Sequence, residues 1–179
     1  MPKYVAFLRA INVGGHTVKM DHLRLLFEEM GFSNVETFIA SGNVIFDSKS
    51  KNTKALERKI EDSLKQSLGY GVAAFIRTPV ELASIASYKP FKVSDLEAEG
   101  NTLYIIFVAD APEDEVAQKL SSFTTDTDEF QVNGREVYWL CRKNMSDSKF
   151  SGAVLEKTLR MQGTMRNSTT VKKIASKYS

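Results

Sequence analysis

The chain of 179 residues carries one cysteine, two histidines, four prolines and one tryptophan. A lone thiol excludes an internal disulfide framework, and Cys141, in the apolar run Trp139-Leu140-Cys141, reads as a packing residue. His16, His22 and that thiol have no carboxylates grouped with them at ligand spacing, so no metal site is proposed. No long apolar run is present. The first one, Tyr4-Val5-Ala6-Phe7-Leu8, is broken at Arg9, too early for a signal-peptide core or a membrane span, and a cytoplasmic protein without membrane contact is expected. Walker-loop, dinucleotide-fingerprint and nucleophile-elbow spacings are all missing. No low-complexity tract interrupts the chain, which is long enough for one well-buried core or two small subdomains.

The formal net charge is only +2, but the charges are unevenly spread. After Glu156 there are Lys157, Arg160, Arg166, Lys172, Lys173 and Lys177 and no acid. Between Ser94 and Phe130 ten acids face Lys119 alone. Such asymmetry fits either solvated faces with internal pairing or an anionic partner for the tail.

The apolar pattern yields an order of elements. Residues 4–9 read as a strand, and 20–30 as a helix through Met20, Leu23, Leu26, Phe27 and Met30, stopped by Gly31. Residues 35–40 and 44–47 read as a hairpin about Ser41-Gly42-Asn43, where glycine and asparagine tolerate positive φ. A helix over 52–68 follows with Leu56, Ile60, Leu64 and Leu68 inward, then a strand over 72–77 and a short helix over 80–87 opened by Pro79. A second series runs strand 103–109, helix 112–123, hairpin 129–132 and 137–141 about Asn133-Gly134, helix 152–161 and closing helix 168–178. This is an α+β protein of duplicated ferredoxin-like (split βαβ) subdomains with antiparallel sheets. The expected division is 1–87 for the first subdomain, 88–101 for the connection and 102–179 for a second subdomain. The second copy is imperfect at its end, where a helix replaces the last strand.

In that topology the loop after the first strand and the tip of the first hairpin share one edge. Asn12, Gly14, Gly15 and Lys19 would then meet Ser41, Gly42 and Asn43. They offer an amide, backbone N–H groups free of Cβ crowding and a cation at a helix start, a set suited to phosphate or carboxylate. Turn-making glycines and a capping asparagine would account for the same residues without a ligand. Arg166 and Asn167, in a polar loop before the last helix, are a second candidate, a bidentate anion clamp and a helix cap, although an arginine paired with the acidic middle region accounts for Arg166 without a ligand. Ser41 has only His16 as a nearby base and no third orienting group, so nucleophilic catalysis is not favoured. Whether a reaction is catalysed, and with which cofactor, the residues do not say.

The favoured function is therefore binding of a small anionic or phosphate-bearing ligand at the loop–hairpin edge. Single-stranded nucleic acid is the first alternative, because sheets of this topology can present aromatic residues to RNA. Val44-Ile45-Phe46 lacks the basic-glycine-aromatic signature that such binding uses. The second alternative is a protein-interaction scaffold with no small ligand.

The run Tyr4-Val5-Ala6-Phe7-Leu8-Arg9-Ala10-Ile11-Asn12-Val13-Gly14-Gly15, with Lys19-Met20, Gly31-Phe32 and Ser41-Gly42-Asn43-Val44-Ile45-Phe46, resembles the bacterial domain-of-unknown-function family 1697 (DUF1697). Thr164-Met165-Arg166-Asn167 resembles that family's closing Thr-x-Arg-Asn element. The resemblance implies a duplicated, intertwined pair of ferredoxin-like subdomains and names no activity. The chain departs from the pattern at Ser168-Thr169-Thr170, where Trp-Asn-Thr is usual.

Overall fold

The structure is a computed structural model that describes residues 1–12, 15–142, 148 and 150–178, with the backbone alone at 40 and 41. Its residues fall into two units, Met1–Ala83 with Ile174–Ser179, and Ser84–Lys173. Each unit is built on a four-stranded antiparallel sheet.

The first unit contains β1 (Lys3–Leu8), α1 (Met20–Glu29), β2 (Ser33–Phe38), β3 (Ala40–Asp47), α2 (Thr53–Leu68) and β4 (Ala74–Arg77), with strand order β2-β3-β1-β4. Alternation along the strands sends Tyr4, Ala6, Leu8, Val44, Phe46, Ala74 and Ile76 to one face. There they meet Leu23, Leu26 and Phe27 of α1 and Leu56, Ile60 and Leu64 of α2, the residues that the helical periodicity selects. Met20, expected to face inward, is 38% exposed because it opens the helix instead of lying over it. Asn52 caps α2 by accepting the Ala55 N–H, and Gly69 ends it at φ +83°. The opposite face carries Val5, Phe7, Ile45, Phe75 and Arg77, all buried.

The second unit repeats this plan with β5 (Thr102–Val108), α5 (Asp114–Ser121), β6 (Asp128–Asn133), β7 (Glu136–Cys141), α6 (Gly152–Leu159) and β8 (Gly163–Asn167), in the order β6-β7-β5-β8. Its helix-covered core gathers Ile106, Val108, Leu120, Phe130, Val137, Trp139, Cys141, Leu155 and Leu159. The pairing registers are equivalent. Val5 opposes Arg77 and Ile45 in the first unit; Ile105 opposes Arg166 and Tyr138 in the second. Tyr4, Phe46 and Ala74 thus correspond to Tyr104, Trp139 and Gly163.

Two expectations change. The reversal in the first hairpin is at Ile39 (φ +68°), between the paired Phe38 and Ala40, and not at Ser41-Gly42-Asn43. Those three residues lie inside β3, where Thr37 opposes Val44 and the register shifts. They belong to an irregularity in the strand, and Asn43 Nδ2 donates to the Phe38 carbonyl across it at 3.2 Å. Second, the copy ending in a helix alone is in fact complete: β8 precedes α7 (Ser168–Tyr178). Gly163-Thr164-Met165-Arg166-Asn167 reads as a polar loop because the strand has a glycine at one end and alternates apolar and polar side chains over only five residues. The segment between the halves also contains helical structure, α4 (Val93–Glu97), after α3 (Pro79–Ser87).

Candidate functional site

Asn12, Gly15, Lys19, Gly42 and Asn43 belong to the first unit, and Arg166 and Asn167 to the second. Gly14 lies outside the described residues, as does the side chain of Ser41. In the first unit Phe7 opposes Asn43, which brings the start of β3 beside the end of β1 from which the loop departs. That loop is held by its own groups. Asn12 Oδ1 accepts the Val18 N–H at 2.7 Å, and Tyr70 donates its hydroxyl to the Ile11 carbonyl at 2.8 Å. The His16 ring stacks on Tyr70 with centroids 3.9 Å apart. Burial pushes the Tyr70 phenol up. Gly15 takes φ +82°, a conformation a side chain would strain. Lys19 is the N-cap residue of α1 and makes no side-chain cap bond, while Asp21 already supplies a carboxylate in the first turn.

Arg166 lies in strand β8 and not in a loop. Its Nη1 donates to Thr164 Oγ1 at 2.8 Å and to the Met165 carbonyl at 2.9 Å, and burial pushes its pKa down to about 10. Asn167 ends β8, and its Oδ1 accepts the Thr169 N–H at 2.9 Å, the capping role its position suggests.

Asn167 also borders a cleft of about 440 Å³ that lies wholly within the second unit. Leu103 and Ile105 are on the face of β5 turned away from the helix-covered core, and they form an aliphatic wall together with Ile85 and Leu96. Lys89, Lys172 and Glu97 supply the charges, and the first turn of α7 contributes Ser168 and Thr169. Among the described residues neither lysine has an ion-pair partner, and Glu97 has none either. The cleft is firmly built. Asn101 Nδ2 donates to the Asp95 carbonyl at 2.8 Å, closing the turn after α4, and Tyr88 accepts a bond from Gln131 Nε2 at 2.6 Å while its ring packs on Tyr138.

Of the sequence-based candidates among the described residues the cleft contains only Asn167. Ile85, Lys89, Leu96, Leu103 and Lys172 come from four separate stretches and form no motif. Only the topology that returns the chain past β5 gathers them. The cleft's volume of about 440 Å³ is within the roughly 300–1,000 Å³ usual for small-molecule sites, and its lining combines an aliphatic patch with more numerous polar groups.

Comparison with known proteins adds fold and family. The chain is similar over its length to the solved structure of the conserved bacterial protein SP0830 from Streptococcus pneumoniae, with a TM-score of 0.76, 20% identity and 99% of each chain covered. At that identity the likeness is one of fold. No curated protein matches the chain. The family model described as "Protein of unknown function (DUF1697)" matches residues 1–138, more than half of the chain, and the protein belongs to that family.

Proposed function

We propose that this protein binds a small anionic ligand and that the cleft of the second unit, more than the loop–hairpin edge, is where the ligand sits. The observation that carries this reading is the pair of lysines, Lys89 and Lys172, lining one cavity of about 440 Å³ with no ion-pair partner among the described residues. Cation clusters usually pair or spread apart on a surface; two lining one cavity attract a counter-charge from solution. At the loop–hairpin edge, by contrast, Asn12 is already bonded within the loop and Asp21 already answers the helix end.

A thermal-shift panel of phosphate-bearing and carboxylate metabolites on the full chain tests the reading, because a ligand that binds only the native state raises its stability. Lys89→Gln/Lys172→Gln is expected to weaken the responding anions about tenfold, equivalent to ~1.4 kcal/mol. Lys19→Gln is expected to leave them unchanged. Loss of binding in Lys19→Gln alone would return the site to the loop–hairpin edge. Absence of any shift, with oligonucleotide affinity falling steeply as salt rises, would replace the small ligand by nucleic acid. A partner protein captured equally by both lysine variants, again without a shift, would favour the scaffold.

A further inference from the structure

We infer that the occupant of this cleft is an amphiphilic monoanion, a carboxylate carried on an aliphatic body, and not a nucleotide or other polyanion; the inference rests on the anion-binding reading above. Three observations point to it. Ile85, Leu96, Leu103 and Ile105 give the otherwise polar lining an aliphatic patch. Among the described residues its one aromatic side chain is Tyr88, with its hydroxyl bonded to Gln131 and its ring packed on Tyr138, so no pair of rings is there to sandwich a base. Charge on the wall is Lys89 and Lys172 against Glu97, a surplus of one positive charge that matches a single carboxylate and leaves a triphosphate unbalanced. At ~30 Å³ per water-sized group, the cavity holds a body of about ten to fifteen non-hydrogen atoms.

The test is titration of the full chain with hexanoate, octanoate, decanoate and dodecanoate, the matching alcohols, inorganic phosphate and ATP. Carboxylate affinity is expected to rise about fourfold per methylene, the increment for burying one CH₂, and to level off once the cavity is full. Lys89→Gln/Lys172→Gln should weaken each carboxylate about tenfold and leave the alcohols where they were. Leu96→Asn, on the short exposed helix α4, should flatten the chain-length series without threatening the core. A flat series with phosphate or ATP binding as well as any carboxylate would overturn the amphiphile while leaving an anion site. A rising series that none of these substitutions alters would place the binding elsewhere and also overturn it. No response to any anion would overturn this inference and the anion-binding function together.

Discussion

Adding one methyl group to Gly163 sets two known effects against each other. The residue is in β8 opposite Val108 and has no left-handed backbone, so alanine would ordinarily stabilise by restricting the unfolded chain, by about 0.4–1 kcal/mol. Here its Cβ would lie 2.8 Å from Ile106 Cγ2, 3.2 Å from the Phe107 carbonyl oxygen and 3.2 Å from Val108 Cγ1. One of these neighbours is backbone and the other two belong to side chains buried in the sheet. Overpacking of this kind costs about 1–3 kcal/mol, so Gly163→Ala should be destabilised by about 1–2 kcal/mol net. For a chain of this size that lowers the melting temperature by roughly 2–8 °C. The sole tryptophan, Trp139, is buried in the same unit, and its fluorescence during denaturant unfolding reports that unit directly. Gly71→Ala, with open space around its Cβ and no positive φ, is the control and should be neutral or slightly stabilising. The equivalent position in the first unit is Ala74, and there the residue corresponding to Ile106 is Ala6. Ile106→Ala alone should cost about 2–5 kcal/mol through the cavity it leaves. Combined with Gly163→Ala it should cost less than the sum of the two, because the pair then matches the small–small arrangement of the first unit. A Gly163→Ala protein with an unchanged or higher midpoint would refute the steric argument.

Other consequences are briefer. Burial raises the Asp47 carboxyl, but hydrogen bonds from Asn34 and Lys3 and the Lys3 charge outweigh it and hold its pKa below the ordinary value. Its contribution is therefore present above about pH 4 and lost as pH falls further, and Lys3→Met should shrink that acid loss by ~1 kcal/mol or less in acid-titration stability measurements. Ile39→Gly should raise stability by about 1 kcal/mol in denaturant unfolding, since a β-branched residue at φ +68° is strained and its side chain is 53% exposed. Tyr178 is pushed up by burial and by its bond to Glu36 Oε2 at 2.7 Å, so that its contribution is present below pH ~10 and lost as pH rises beyond it. Tyr178→Phe should remove that alkaline loss.

Elements whose side chains repeat with a clean period were legible in the sequence, and those defined by backbone pairing were not. Leu23, Leu26 and Phe27, or Leu56, Ile60 and Leu64, advertise a helix because each stripe is buried on a single side. β8 alternates Gly163 and Met165 with Thr164 and Arg166. Its half-buried arginine, held by Thr164 and the Met165 carbonyl, disguises a strand as a loop. Ser41-Gly42-Asn43 has turn chemistry, but chemistry that permits a turn also permits a strand irregularity, and the pairing of Asn43 with Phe7 decides between them. The site was less legible than the fold. Single residues such as Asn12 and Asn167 reveal their capping roles locally, whereas a cavity wall drawn from α3, α4, β5 and α7 exists only once those elements have been brought together.

The duplication itself offers a further argument about where an anion would rest. Since Arg77 and Arg166 occupy the same register, Thr78 corresponds to Asn167 and Glu81 to Thr170. At the start of α3, Thr78 Oγ1 accepts the Glu81 N–H at 3.1 Å and Glu81 Oε2 accepts the Thr78 N–H at 3.0 Å, a capping box that places a carboxylate at the helix end. The first turn of α7 has no acid, and Asn167 caps it. Thus one copy carries its own carboxylate where the other borders the cleft with Lys172. Thr170→Glu should transplant the first arrangement into the second, adding about 0.3–1 kcal/mol of stability through the helix dipole. It should also weaken a cleft-bound anion about tenfold, by occupying its place or repelling it. Thr170→Gln can form the same cap without the charge and should preserve binding. Equal anion affinity in Thr170→Glu and the parent chain would show that the ligand's charge does not sit at this end of the cleft.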